Sequence, residues 1–153
     1  MIKIVPDTNV LVGSMLGGGG PKRWVINLAL EKKIALYGSS VSYAEFMDVI
    51  QREEFKPYLE KQIYTVEKLE HDYKSVITIV DTEGVYEGIT ITEDPDDDEY
   101  FRIAKAEGIK VIVSEDNHLR KVGRYEDIRV VTAKQFTDSY ISAIAKTEHP
   151  SSN

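Results

Sequence analysis

The sequence predicts an α/β fold in which a central twisted parallel sheet is covered by helices on both faces. Three observations carry that prediction. Short β-branched runs alternate with amphipathic segments along the whole chain, the pattern of strand-helix-strand crossovers. The run "KVIVS" has an unbroken apolar centre, Val111 to Val113, as a strand buried on both faces should have. Finally, 153 residues with 42% hydrophobic content suit one domain with a real core, and no second domain.

In chain order, "IKIV" reads as the first strand, ended by Pro6, and "TNVLVGSML" as a short helix. Gly17 to Gly20 form a flexible loop. Pro21 then suits the first turn of the helix "PKRWVINLALEKK", because its missing N–H is one that a helix start leaves unpaired anyway. "IALYGS" is the second strand, and "SYAEFMDVIQRE" is a helix beginning near Ser42. Leu59, Ile63, Val66, Leu69 and Tyr73 recur at helical spacing, which predicts one amphipathic helix from Tyr58 to Tyr73. Its wide apolar face suits either a homodimer or a well-covered core. "VITIV" follows as a strand, "TEGVYEG" as a turn-rich connection, and "DDEYFRIAKAEG" as a helix stopped by Gly108. "KVIVS" and "IRVVT" are the last strands and "AKQFTDSYISAIAK" is the closing helix. The domain is expected over residues 1–146, with 147–153 a frayed tail.

Composition narrows the function classes. Cysteine is absent, which excludes disulfide scaffolds, thiolate metal sites and cysteine nucleophiles. No apolar run approaches the ~20 residues of a membrane span, and the opening "MIKIV" has no signal-type apolar stretch. The expectation is a cytoplasmic chain without a membrane partner. The net charge is -7, and the six carboxylates between Glu93 and Glu99 supply most of it. A local acidic cluster can be neutralised by cations, so the net charge does not exclude a polyanionic substrate.

Open parallel sheets bind ligands beyond the carboxyl ends of their strands, and four acids stand at such places. Asp7 follows the first strand, Glu45 lies in the first turn after the second, Asp98 opens the helix running into "KVIVS", and Asp116 follows that strand. Singly, each has a plain structural alternative. Asp7 can cap a helix. "SYAE" fits a capping box of Ser42 and Glu45. Asp96 to Asp98 suit a helix N-terminus, and Asp116 with Asn117 suits a turn. Convergence is different: two carboxylates about 4 Å apart repel by roughly 4 kcal/mol at an effective dielectric of 20. A hard divalent cation removes that cost directly, and an all-oxygen donor set favours magnesium or manganese over zinc. "DPDDDE" is no EF-hand, because Glu99 and Lys105 occupy the required glycine and glutamate positions; "GGGGPK" is no P-loop.

The ordered set "IVPDTNVLV", "SYAEFMDVI", "DPDDDEYFRIAKAEGIKVIVSEDNHL" and "IRVVTAKQF" resembles the PIN domain ribonucleases, and most of all the toxin (VapC-like) components of toxin-antitoxin pairs. The resemblance implies a PIN-like three-layer sandwich. It makes Asp7, Glu45, Asp98 and Asp116 the catalytic and metal-holding acids, with Asn9, Ser114 and Asp97 in support. Asp98 is preferred to Asp97 as the third acid for its spacing to Asp116. The resemblance further implies Mg²⁺- or Mn²⁺-dependent hydrolysis of RNA leaving 5′-phosphate and 3′-hydroxyl ends, with an antitoxin partner. A housekeeping RNA-processing nuclease and a non-catalytic binding module are the alternatives. Lys22, Arg23, Arg120, Lys121 and Arg124 are the candidates for gripping RNA phosphates. Trp24 and Tyr125 are candidates for stacking on bases, with core packing the plainer reading for Trp24.

Overall fold

A computed structural model describes residues 1–17, 20–61 and 64–148. Gly18 and Gly19 of the expected glycine loop, Ile63 of the expected amphipathic face, and residues 149–153 of the expected tail lie outside the described residues.

Six strands are described: β1 (Ile2–Pro6), β2 (Ile34–Gly38), β3 (Ile77–Ile79), β4 (Val111–Val113), β5 (Arg124–Tyr125) and β6 (Ile128–Val131). Eight helices are described with them: α1 (Thr8–Leu16), α2 (Pro21–Leu30), α3 (Ser40–Val49), α4 (Lys56–Glu60), α5 (Val66–Val76), α6 (Asp98–Glu107), α7 (Asn117–Val122) and α8 (Ala133–Glu148). They build an α/β three-layer architecture. The sheet order is β3-β2-β1-β4-β6-β5, and every pairing is parallel except the β5-β6 hairpin.

Successive residues of a strand face opposite sides of a sheet, and the core shows it. Ile4 and Val113 join one apolar cluster with α1, α2, α3 and α5; their neighbours Val5 and Ile112 join another with α6. Both faces are therefore covered, which is why these strands read as unbroken apolar runs.

The chain leaves β1 towards β2 and β3, then returns to place β4 on the other side of β1. This reversal is a switch point, where the two connections diverge and open a crevice beyond the strand ends. It sets Asp7, directly after β1, beside the residues that follow β4.

Two expectations need correction. The helix expected from Tyr58 to Tyr73 is two helices: α4 ends at Glu60, and Thr65 caps α5 by accepting from the Lys68 amide at 3.1 Å. Among the described residues of that face, Leu69 and Tyr73 are buried and Leu59 and Val66 pack against the same cluster. The closing helix α8 also runs past the expected boundary, to Glu148. Among the described residues, no helix is long and apolar enough to cross a membrane.

Candidate metal centre

Asp7 is built in by the sheet. Its amide donates to the Val113 carbonyl at 2.9 Å, continuing the β1-β4 ladder by one residue beyond Pro6. Its side chain is 3% exposed; Oδ1 accepts from the Val10 amide at 2.8 Å, capping α1, and Oδ2 accepts from the Ser114 hydroxyl. Ser114 in turn accepts from the Asp116 amide at 2.9 Å, so one buried hydroxyl ties the first acid to the backbone of the fourth. Asp116 caps α7, its Oδ1 accepting from the His118 and Leu119 amides at 2.8 and 3.3 Å. The capping roles open to Asp7 and Asp116 are thus real, and they fix both carboxylates at the switch point.

Glu45 is not used as a cap. α3 starts earlier than expected, and its capping box is formed by Ser39 and Ser42. This frees the Glu45 carboxylate, whose Oε2 accepts from the Tyr100 hydroxyl at 2.8 Å and lies 3.3 Å from the Thr8 hydroxyl. The Tyr100 hydroxyl also accepts from the Thr8 amide at 3.1 Å. Burial, reinforced by the charge of Glu45, pushes the Tyr100 phenol up, so it stays a proton donor. Neither Tyr100 nor Thr8 was expected at the site.

The acid-rich stretch divides its labour. Glu93 pairs on the surface with Lys121 at 2.6 Å and with His118 at 3.3 Å. Asp94 accepts from the Asp96 amide at 3.0 Å, closing a turn ahead of α6. Glu99 is buried and accepts from Ser39 at 2.5 Å and Thr82 at 2.9 Å, clamping the loop after β3 against α3 and α6. Asp98, the preferred third acid, is also committed to structure: its two oxygens accept from the Ile91 and Thr92 amides at 3.1 and 2.8 Å. Burial, then the charges of Asp116, Asp94, Glu45 and Asp7, raise the Asp97 carboxyl to about 7. Asp97 thus feels the charges of Asp116, Glu45 and Asp7, whereas both Asp98 oxygens are taken up by backbone amides. Consecutive acids at a helix start point in different directions, and here Asp98 turns to the backbone.

Asp7 is raised to about 6, chiefly by burial, with Asp116 and Glu45 adding to it and the hydrogen bonds from Ser114 and Val10 opposing it. Among the described residues none of Asp7, Glu45, Asp97 and Asp116 forms an ion pair with a lysine, arginine or histidine. Equally, among the described residues no three acidic or histidine side chains stand close enough to grip one ion as they are placed. The four acids repel across the crevice without closing on a point. Their oxygen-only chemistry is of the kind that a hard divalent cation takes as ligands.

Of the supporting residues, Ser114 is buried between Asp7 and Asp116. Asn9 is exposed and makes no side-chain hydrogen bond among the described residues. The basic residues divide similarly. Arg23 donates to the Ser14 carbonyl at 3.0 Å, and Arg124 donates to the Glu126 carbonyl at 2.9 Å. Lys121 is held by Glu93, while Arg120 is exposed. The Lys22 stem lies against Gly13 of α1, where a Cβ would come within 2.9 Å of it. Trp24 is 46% exposed, so core packing does not account for it, whereas Tyr125 stacks edge-on with Tyr86.

The sequence model of the PIN domain matches residues 3–118, from β1 to just past Asp116. The chain belongs to the PIN domain family. No curated protein matches it by sequence. Among solved structures it is similar to a chain in the crystal structure of VapBC2 from Rickettsia felis bound to a DNA fragment from their promoter, with a TM-score of 0.58 and 14% identity. The likeness covers 86% of this chain and 98% of that one. At that identity it shows a shared PIN fold, and the crevice carrying the four acids belongs to the part of the chain that the family match spans.

Proposed function

We propose that this PIN domain is a divalent-metal-dependent endoribonuclease of the toxin type, acting in the cytoplasm and restrained by an antitoxin. The single observation that carries the proposal is the set of four carboxylates beyond the strand ends that, among the described residues, have no protein cation paired with them. Family membership supports nuclease chemistry, and the VapBC2 neighbour supports an antitoxin partner.

Asp7, Glu45, Asp97 and Asp116 would hold Mg²⁺ or Mn²⁺. When bound, the ion supplies an activated water and stabilises charge on the phosphodiester oxygens during in-line hydrolysis. The carboxylates themselves do not attack. Asp7 and Asp97 would be ligands in their ionised form, each from a fixed backbone position. Ser114 keeps Asp7 and Asp116 at constant separation, and Tyr100 holds one oxygen of Glu45. Arg120 and Lys22 grip phosphates beside the crevice, and Lys121 joins them by exchanging its exposed Glu93 partner, a pair that costs little to break. Such contacts seat an RNA strand without reading its sequence.

The test incubates purified protein with single-stranded and structured RNA in Mg²⁺, Mn²⁺ or EDTA, alongside Asp7→Asn. Cleavage that needs the ion and disappears in Asp7→Asn is the expected outcome. Cleavage that persists in EDTA, or in Asp7→Asn, overturns the proposal.

A further inference from the structure

We propose that Tyr100 is the positioning residue of this site, holding one oxygen of Glu45 so that the other is left for the divalent ion. The inference rests on the nuclease reading above and names a residue that acts through a ligand rather than on the substrate.

Proton accounting fixes the direction of the contact. A phenol has one proton and accepts at its lone pairs. The Thr8 amide can only donate, and it donates to the Tyr100 oxygen at 3.1 Å. The Thr8 hydroxyl, 2.9 Å away, can donate to the same oxygen. The Tyr100 proton then goes to the one neighbour that has none of its own, Glu45 Oε2 at 2.8 Å. A hydrogen bond to a charged acceptor is shorter and about twice as strong as a neutral one. Oε1 is left with no protein hydrogen bond among the described residues.

The same side chain also sets a register. Asp97 and Tyr100 are three residues apart at the start of α6, so they share one face of that helix. The Tyr100 ring is 3% exposed and belongs to the core cluster of Phe101, Ile103 and Val5. Its hydroxyl meets Thr8 at the start of α1 and Glu45 on α3. One buried group thus spans the three segments that carry Asp7, Glu45 and Asp97, and a phenylalanine would fill the same space without making the link.

The experiment compares wild type, Tyr100→Phe, Glu45→Gln and the double variant by calorimetric Mn²⁺ titration and by RNA cleavage as a function of Mn²⁺ concentration. Tyr100→Phe should raise the Mn²⁺ dissociation constant about 10- to 100-fold, the usual effect of removing a group that orients a metal ligand. Raising Mn²⁺ should restore its cleavage. The double variant should bind no more weakly than Glu45→Gln alone, because Tyr100 works through Glu45. Unchanged affinity in Tyr100→Phe, or losses that simply add in the double variant, overturn the inference while leaving the nuclease reading intact. A wild type that binds no Mn²⁺ sinks the nuclease reading itself. Should Tyr100→Phe fail to fold, the wild type decides by NMR: the Tyr100 hydroxyl proton must exchange slowly with solvent and shift on adding Mn²⁺, and fast exchange overturns the inference.

Discussion

Replacing Asp97 and Asp98 separately with asparagine should move metal-free stability in opposite directions, although the residues are adjacent. The rise of Asp97 from 3.8 to about 7 corresponds to about 4 kcal/mol of opposition to its charged form, at ~1.4 kcal/mol per tenfold. Asp97 is partly open to water, and solvent screening reduces that figure to about 1–2 kcal/mol. The sign follows from proton binding. A carboxyl whose folded value is raised holds its proton longer in the folded chain, so its cost is absent below pH 4 and complete above pH 7. Asp97→Asn should therefore stabilise the metal-free protein by about 1–2 kcal/mol at pH 8 and change little at pH 4. Asp98→Asn keeps only one acceptor oxygen for the Ile91 and Thr92 amides and should cost about 1.5–3 kcal/mol. Urea unfolding in EDTA measures both. Destabilisation by Asp97→Asn as large as that by Asp98→Asn would show that Asp97 is a helix cap, and would refute the division of labour assigned to the acidic stretch.

The remaining predictions use other contacts. Metal-free wild type should lose stability as pH rises from 4 to 8, because Asp7 and Asp97 must ionise against the fold, and saturating Mn²⁺ should reverse that slope; thermal melts across the range test it. Ser114→Ala removes the donor to Asp7 and the acceptor for the Asp116 amide, so it should cost about 1–3 kcal/mol and lower cleavage about 10- to 100-fold, read by urea unfolding and by initial rates. Arg120→Ala should weaken single-stranded RNA binding alike for all sequences and reduce the salt slope by about 0.7, measured by fluorescence anisotropy at several salt concentrations.

Much of the fold was legible because its strands are buried on both faces and its helices are long enough to show a period. β4 is a continuous apolar run, and Gly108 ends α6 at a φ of 69°, where glycine carries no penalty. α7 and β5 were not legible: α7 spans 6 residues, too few for a period, and β5 spans 2. The gap between α4 and α5 was hidden because apolar spacing runs on through it, while Thr65, the residue that restarts the helix, is an unremarkable threonine in sequence. At the site, Asp7 and Asp116 were legible because they follow strands directly, and Ser114 only through the family resemblance. The choice between Asp97 and Asp98 was not, since neighbouring acids are equally favourable to a helix dipole and only packing decides which one turns to the backbone. Glu45 carried an ambiguity that Ser39 resolved by taking the cap. Tyr100 gave no signal at all, because a tyrosine among apolar helix positions reads as core, and its hydroxyl partners come from segments distant in sequence.

Calorimetric titration of Mn²⁺ into metal-free protein, in buffers of differing ionisation enthalpy, tests the central claim most directly. Ion binding must displace the protons that Asp7 and Asp97 hold with midpoints about 6 and about 7. The account predicts measurable proton release at pH 6.5 that falls towards none by pH 8.5. Binding without proton release at pH 6.5, or no binding at all, would contradict it.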